Sequence, residues 1–201
     1  MIYLVRHGRT AFNVGGRFQG HSDSPLTALG LQQAAAIGGL LKSLITDPAD
    51  WTLTASPLGR AAHTARIIQA ETGLNAPVLD ERLREIGMGS WEGLTEEDIA
   101  MVAPDAAKGA NRYNFFFSAP DGEGLDAFTA RLRSWLGEAV SDGRPRVAVS
   151  HGVAGKVLRG LYLGLTIEEA LKLDSPQDAV FRLAAGAVEK IAALAIAEPW
   201  R

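Results

Sequence analysis

The sequence contains no cysteine. Disulfides, thiolate zinc sites and cysteine nucleophiles are therefore excluded. It has no run of lysine or arginine, and its formal net charge is −3. That balance argues against nucleic acid as a partner. No uninterrupted apolar stretch is long enough to cross a membrane. The opening apolar run is too short for a signal peptide and has no basic residue before it. The expectation is a soluble cytoplasmic protein. The phosphate-cradling motifs G-x-G-x-x-G and G-x-x-x-x-G-K-[ST] are both missing. The four histidines, at 7, 21, 63 and 151, form no H-x-x-x-H pair. Neither a metal nor a cofactor is expected, and His21 and His63 read as surface or packing residues.

What is present is a chain of 201 residues, 47% of them hydrophobic, enough for one sizeable α/β domain. Ile2 to Val5 is a short apolar run cut off by a charge, a histidine and a glycine, which predicts a buried strand ending in a tight loop. Arg6 and His7 then sit at the carboxyl end of that strand, where open α/β sheets place their ligand crevice. Gly8 lets the chain turn and leaves room beside the imidazole. Asn13 to Pro25 is polar and glycine-rich. Its Gln19 and Gly20 could offer an amide and an approachable N–H to a phosphate, or simply form surface turns.

Thr27 reads as the N-cap of a helix bearing Leu31, Ala34, Ile37, Leu41 and Leu44 at helical spacing. Trp51 to Ala55 predicts a second strand. Ser56 and Pro57 predict the next helix start, as cap and first helical residue, with Leu58, Ala61, Ala65 and Ile68 facing inward. Arg60 lies in its first turn, where a cation is disfavoured without an anion nearby.

Pro77 to Leu79 predicts a short strand, followed by the acidic segment D-E-R-L-R-E-I-G-M-G-S-W-E-G around Glu85. Thr95 with Asp98, and Thr166 with Glu169, predict two capped short helices. A longer helix runs from Leu125 to about Ser141. Arg146 to Val149 predicts a fourth strand that delivers Ser150, His151 and Gly152 to another helix. That helix's N-terminus adds partial positive charge beside His151. Two closing strands, Ala179 to Leu183 and Ala187 to Ala193, form a hairpin around Gly186. No repeat or linker divides residues 1–201, so a single domain is expected.

Three strand-to-helix junctions thus carry Arg6 and His7, then Arg60, then His151. In a parallel sheet they share one edge and meet in one crevice. Two histidines, two arginines and a carboxylate form a coherent set for phosphoryl transfer, because the group in flight spreads negative charge over three oxygens.

These residues also carry a resemblance. R-H-G-R-T-A-F-N, G-R-F-Q-G-H-S-D-S-P-L-T-A-L-G, S-P-L-G-R-A-A-H-T-A, L-R-E-I-G-M-G-S-W-E-G and S-H-G-V resemble, in order, the motifs of the histidine phosphatase superfamily, also called phosphoglycerate mutase-like. The resemblance implies a three-layer α/β/α sandwich around a six-stranded, mostly parallel sheet with one antiparallel strand. It implies His7 as the nucleophile that becomes phosphohistidine and Glu85 as proton donor. Arg6, Arg60 and His151 would bind the phosphoryl oxygens, with Asn13 as a further donor. Gln19, Gly20 and Gly152 are further candidates for substrate binding.

The implied activity is a metal-independent phosphomonoester hydrolase acting on a small phosphorylated substrate. The alternatives are a phosphoglycerate mutase and a non-catalytic phospho-ligand binder on the same fold. Mutases of this family usually carry a longer, basic insert after the acid segment, whereas residues 94–122 here are short and hold only Lys108 and Arg112 as cations. Arg9, Phe12, Gly124 and the run Pro176-Gln177-Asp178 depart from the family pattern. They bear on the substrate rather than the reaction, and the sequence gives neither the natural substrate nor the oligomeric state. Tyr113 and Phe115 to Phe117 fall in an irregular stretch. Consecutive aromatics cannot all face one side, so some would anchor the loop on the core. Others would face solvent or the crevice: either the whole run only anchors a loop, or one or two of its rings line the crevice against an apolar or ring-bearing leaving group, with Arg112 reaching a second anionic group.

Overall fold

The computed structural model describes residues 1–105 and 113–193, so Lys108 and Arg112 lie outside the described residues. The chain opens with β1 (Ile2–Arg6), a short helix α1 (Ala11–Val14) and a long helix α2 (Ala28–Leu44). β2 (Thr52–Ala55), α3 (Gly59–Thr72) and β3 (Val78–Leu79) follow. Next come α4 (Glu96–Val102), α5 (Leu125–Ser141), β4 (Arg146–Ser150) and α6 (Gly152–Leu163). α7 (Ile167–Leu171) and the hairpin β5 (Ala179–Ala184) and β6 (Ala187–Ala192) complete the order.

The six strands form one sheet in the order β3-β2-β4-β1-β5-β6. β1, β2, β3 and β4 pair parallel, and β5 runs antiparallel to both β1 and β6. One strand is thus reversed within a mostly parallel sheet, as expected. Side chains alternate across the sheet, and each face has its own core. Ile2, Leu4 and Ala148 pack with Phe128, Leu132 and Trp135 of α5 and with Val157 and Leu158 of α6. Tyr3, Val5, Val147 and Val149 pack with Ile37 and Leu41 of α2 and with Ala61, Ala65 and Ile68 of α3. Helices therefore cover both faces, which buries the parallel strands on each side.

Local signals account for most element ends. Thr27 caps α2 through its side chain. Thr95–Asp98 and Thr166–Glu169 both form reciprocal capping boxes. Two expectations are corrected. Leu31 is exposed, and the buried stripe of α2 is Gly30, Ala34, Ile37, Gly38 and Leu41. Ser56 does not cap α3: the helix starts two residues after Pro57, with Leu58 as its N-cap. Ser56 is fully buried and its hydroxyl meets His151 instead.

Gly8 has a reason beyond room for the ring. A Cβ there would stand 2.2 Å from the Gly30 carbonyl oxygen, and one at Gly30 would stand 2.1 Å from that of Arg9. The start of α2 thus lies directly against the loop after β1, a closeness only two facing glycines permit. The helix α1 was not legible as such, because it is four residues long, buries none of them and so leaves no apolar periodicity.

Candidate active site

The carboxyl ends of β1, β2 and β4 place Arg6, His7, Ser56, Ser150 and His151 along one sheet edge, where the His7 N–H donates to the Ser150 carbonyl (3.0 Å). His7 is 2% exposed. Its Nδ1 lies 2.8 Å from the Gly8 carbonyl oxygen and its Nε2 lies 3.3 Å from Arg60 Nε. A carbonyl only accepts and a guanidinium only donates. Nδ1 therefore carries the ring hydrogen, and Nε2 keeps its lone pair. Burial, and then the charges of Arg60 and Arg6, hold the His7 pKa well below the ordinary histidine value. The ring is a neutral base with its nucleophilic nitrogen turned toward cations.

Arg60 is anchored by its own fork. Nη1 donates to Ser22 O (2.7 Å) and Asp23 Oδ1 (3.1 Å), and Nη2 to Gly20 O (2.8 Å). A Cβ at Gly59 would meet Asp23 Oδ2 at 2.0 Å, so a larger residue there would displace the carboxylate that Arg60 binds. Arg6 donates from Nη1 to Ser175 O (2.5 Å), while its Nε is buried without a partner in the protein.

His151 is the N-cap residue of α6, and its ring meets that of His7 at 5.1 Å, edge to face. Its Nε2 lies 2.7 Å from Ser56 Oγ, and its Nδ1 is buried and unpartnered. Burial, with the charges of Arg60, His7 and Arg6, lowers its pKa well below the usual value too. An orphaned buried polar atom costs about 1–3 kcal/mol. Two of them beside His7 suit a place where a polyoxygen anion is received.

The acid segment is held from several sides. Glu85 Oε1 accepts the N–H of Ala154 (2.9 Å) and Oε2 that of Val153 (3.0 Å), so its carboxylate sits on the first turn of α6. The Glu85 carbonyl accepts from both His21 Nε2 and Arg131 Nη2, each at 2.9 Å. Arg131 further donates to Arg82 O and Arg84 O and forks onto Glu123. Glu92 binds the N–H groups of His21, Ser22 and Met88. Burial alone would raise the Glu92 pKa, but these hydrogen bonds outweigh it and lower it. His21, read as surface or packing from the sequence, thus supports the acid segment, whereas His63 is exposed as expected.

Above this floor opens a crevice of about 310 Å³. Arg6, His7, Arg60 and Glu85 line it, as do Asn13, Gln19 and Gly20. Asn13 Oδ1 is engaged by the Thr10 N–H, and Gln19 Oε1 by the Thr10 and Ser24 hydroxyls. Both side-chain amide nitrogens thereby remain as donors. Gly20 sits at φ 51° in the left-handed region, and a Cβ would strike Glu92. His151 and Gly152 stand just behind the lining. Gly152 packs against the Arg6 guanidinium, which a Cβ there would meet at 3.5 Å. The remaining lining among the described residues is mainly apolar: Phe12, Phe18, Ile86, Met88, Phe116 and Val153, with Arg17 a further cation.

The aromatic run is divided between core and crevice, one of the two arrangements its spacing allowed. Phe115 packs on Phe18 and Trp91, and Phe117 on Phe128, while Phe116 lines the crevice. Sequence reasoning missed His21, Ser56, Arg131 and Gln177. The Gln177 amide donates to the His7 carbonyl from a distance of 170 residues along the chain, and no local pattern reports that.

Known proteins resemble this chain in sequence and in fold. A protein named "Probable phosphoglycerate mutase GpmB" from Enterobacter sp. (strain 638) is 38% identical over 172 residues, covering 82% of this chain and 75% of that protein. The solved alpha-ribazole phosphatase from Shigella flexneri superposes with a TM-score of 0.78 at 26% identity, covering 96% of each chain. A mycobacterial glucosyl-3-phosphoglycerate phosphatase, in complex with VO3, superposes with a TM-score of 0.75 at 31% identity, covering 90% of this chain and 92% of the other. Residues 2–190 match the histidine phosphatase superfamily (branch 1), and the chain belongs to that family.

Proposed function

We propose that the protein is a phosphomonoester hydrolase that works through a phosphohistidine on His7. The observation that carries this reading is the His7 ring itself. It is neutral, with its Nε2 lone pair fixed by the Nδ1–H bond to Gly8 O, at the floor of a crevice where Arg6 and Arg60 converge. Nε2 attacks the phosphorus, and the bond from phosphorus to the leaving oxygen breaks. Arg6, Arg60 and His151 hold the three equatorial oxygens, with Asn13 and Gln19 as further donors. Glu85 supplies the proton that the leaving alkoxide takes up. It then removes one from the water that attacks the phosphohistidine, which returns neutral His7 and releases phosphate.

The leaving group departs into the apolar part of the crevice. Phe12, Phe18, Ile86, Met88, Phe116 and Val153 favour an alcohol with an apolar or ring-bearing body. A mutase reading is favoured by the name of the 38% identical relative. A mutase must retain a small acidic product for re-phosphorylation. Among the described residues the lining offers one cation, Arg17, beyond the phosphoryl floor, and it is already held by Gly93 O and Asp98. That lining supports hydrolysis over retention.

Turnover of p-nitrophenyl phosphate in EDTA tests the hydrolase, and no turnover would return the protein to the class of phospho-ligand binders. Conversion of 3-phosphoglycerate to its isomer with 2,3-bisphosphoglycerate, faster than phosphate release, would establish a mutase instead. Comparing phosphorylated metabolites with and without aromatic leaving groups defines the substrate class.

A further inference from the structure

The reversed direction of β5 brings its entrance, rather than its exit, to the catalytic edge of the sheet. The segment Asp174 to Gln177 therefore arrives beside the carboxyl end of β1. Two of its residues, Ser175 and Gln177, fasten onto the site. The Ser175 carbonyl accepts from Arg6 Nη1 at 2.5 Å, and its hydroxyl donates to Gly152 O at 3.3 Å. Gln177 Nε2 donates to His7 O (3.0 Å) and to Asn13 Oδ1 (3.1 Å). Asp174 is held from beneath by Arg159, which stacks 3.7 Å over the Phe181 ring, and by Lys190.

We infer that Gln177 is a positioning residue that sets the His7 main chain and the Asn13 amide in register with each other. Its two N–H hydrogens are both used, one on each target. The orientation is imposed by its neighbours. The Thr10 N–H fixes Asn13 Oδ1 as an acceptor, and the His7 carbonyl can only accept. Only an amide nitrogen serves both at once. Gln177 thus ties the nucleophile's backbone to Asn13, which lines the crevice. It does so from an element that carries no reacting group. Small displacements of a nucleophile and a transition-state donor relative to one another act on the rate rather than on ground-state binding.

The inference rests on His7 being the nucleophile, and the test separates the two claims. Gln177→Met keeps the side-chain length and removes both donors. Gln177→Glu keeps the shape and replaces them with acceptors facing acceptors. Each is assayed on p-nitrophenyl phosphate beside wild type and His7→Ala, with thermal melts of all four. The expected result is a fall in kcat of about tenfold for Gln177→Met and more for Gln177→Glu. KM should change less than about twofold and the melting temperature should stay close to wild type. Should Gln177→Met lose folded protein, Gln177→Glu against Gln177→Asn carries the test: partial recovery of kcat by the shorter amide is expected, because it retains the donor. A wild-type kcat in Gln177→Met, or a change in KM alone, overturns the inference while leaving His7 in place. Near-normal activity in His7→Ala removes the underlying reading instead.

Discussion

Arg60 Nε points at His7 Nε2 across 3.3 Å, so a fixed cation and a neutral base face each other at the floor of the crevice. Burial, and then the charges of Arg60 and Arg6, keep the imidazole unprotonated, and its lone pair accepts the Nε–H of a guanidinium whose other nitrogens are bound to Ser22 O, Asp23 and Gly20 O. On the proposed mechanism, a phosphoryl group entering beside them meets the Nε2 lone pair and the Arg60 charge together.

Replacing Arg60 with lysine keeps the charge but cannot reproduce bonds to Ser22 O, Asp23 and Gly20 O at once. Loss of a charge-assisted hydrogen bond is worth about 1.5–3 kcal/mol, or about tenfold to a hundredfold in rate. The kcat/KM of Arg60→Lys on p-nitrophenyl phosphate is the measurement, and a wild-type value would make Arg60 a purely structural anchor.

Both site histidines have lowered pKa values, first through burial and then through neighbouring cations. In the unfolded chain each protonates at about pH 6.5. Below that pH the unfolded state holds protons that the native state does not, so stability falls with decreasing pH. Each histidine contributes up to about 1.4 kcal/mol per pH unit. Urea unfolding at pH 7.5 and 5.5 should therefore differ by about 2–3 kcal/mol. Replacing His7 and His151 together with glutamine should remove most of that difference. An undiminished pH dependence in the double variant would place its origin elsewhere.

Glu85 is expected to protonate the leaving oxygen. Glu85→Gln should slow alkyl phosphates far more than p-nitrophenyl phosphate, whose leaving group needs little protonation. Equal losses on both would assign Glu85 to the α6 amides it binds and not to proton transfer.

The three phenylalanines should separate in two assays. Phe116→Ala should raise KM for ring-bearing phosphates and spare small alkyl phosphates, because Phe116 lines the crevice. Phe117→Ala should cost about 1–3 kcal/mol of stability without changing substrate ranking, because Phe117 packs on Phe128. The same change in ranking for both would count against this division.

The order of strands and helices was legible because caps and apolar spacing are local. Thr27, Thr95–Asp98 and Thr166–Glu169 each act within four residues. Arg6, His7, Arg60, Glu85 and His151 were legible because four of them sit on or just after strand ends and all five fall in motif positions. Ser56 misled because serine before proline has the pattern of a helix cap. Its hydroxyl serves His151, 95 residues away. Arg131 carries no local signal beyond a charge on a helix, yet it gathers three carbonyls of the acid segment. Gln177 lay in a run noted only for departing from the family pattern. What escaped the sequence are long-range hydrogen bonds, which leave no periodic trace.

The phosphohistidine itself is the most direct test. Enzyme mixed with p-nitrophenyl phosphate, quenched rapidly in alkali and digested, should yield the peptide containing His7 with one added phosphoryl group, found by mass spectrometry. The same peptide should be unmodified in His7→Ala, with kcat reduced roughly a thousandfold or more. An unmodified His7 in wild type during turnover, together with near-normal activity in His7→Ala, would contradict the account.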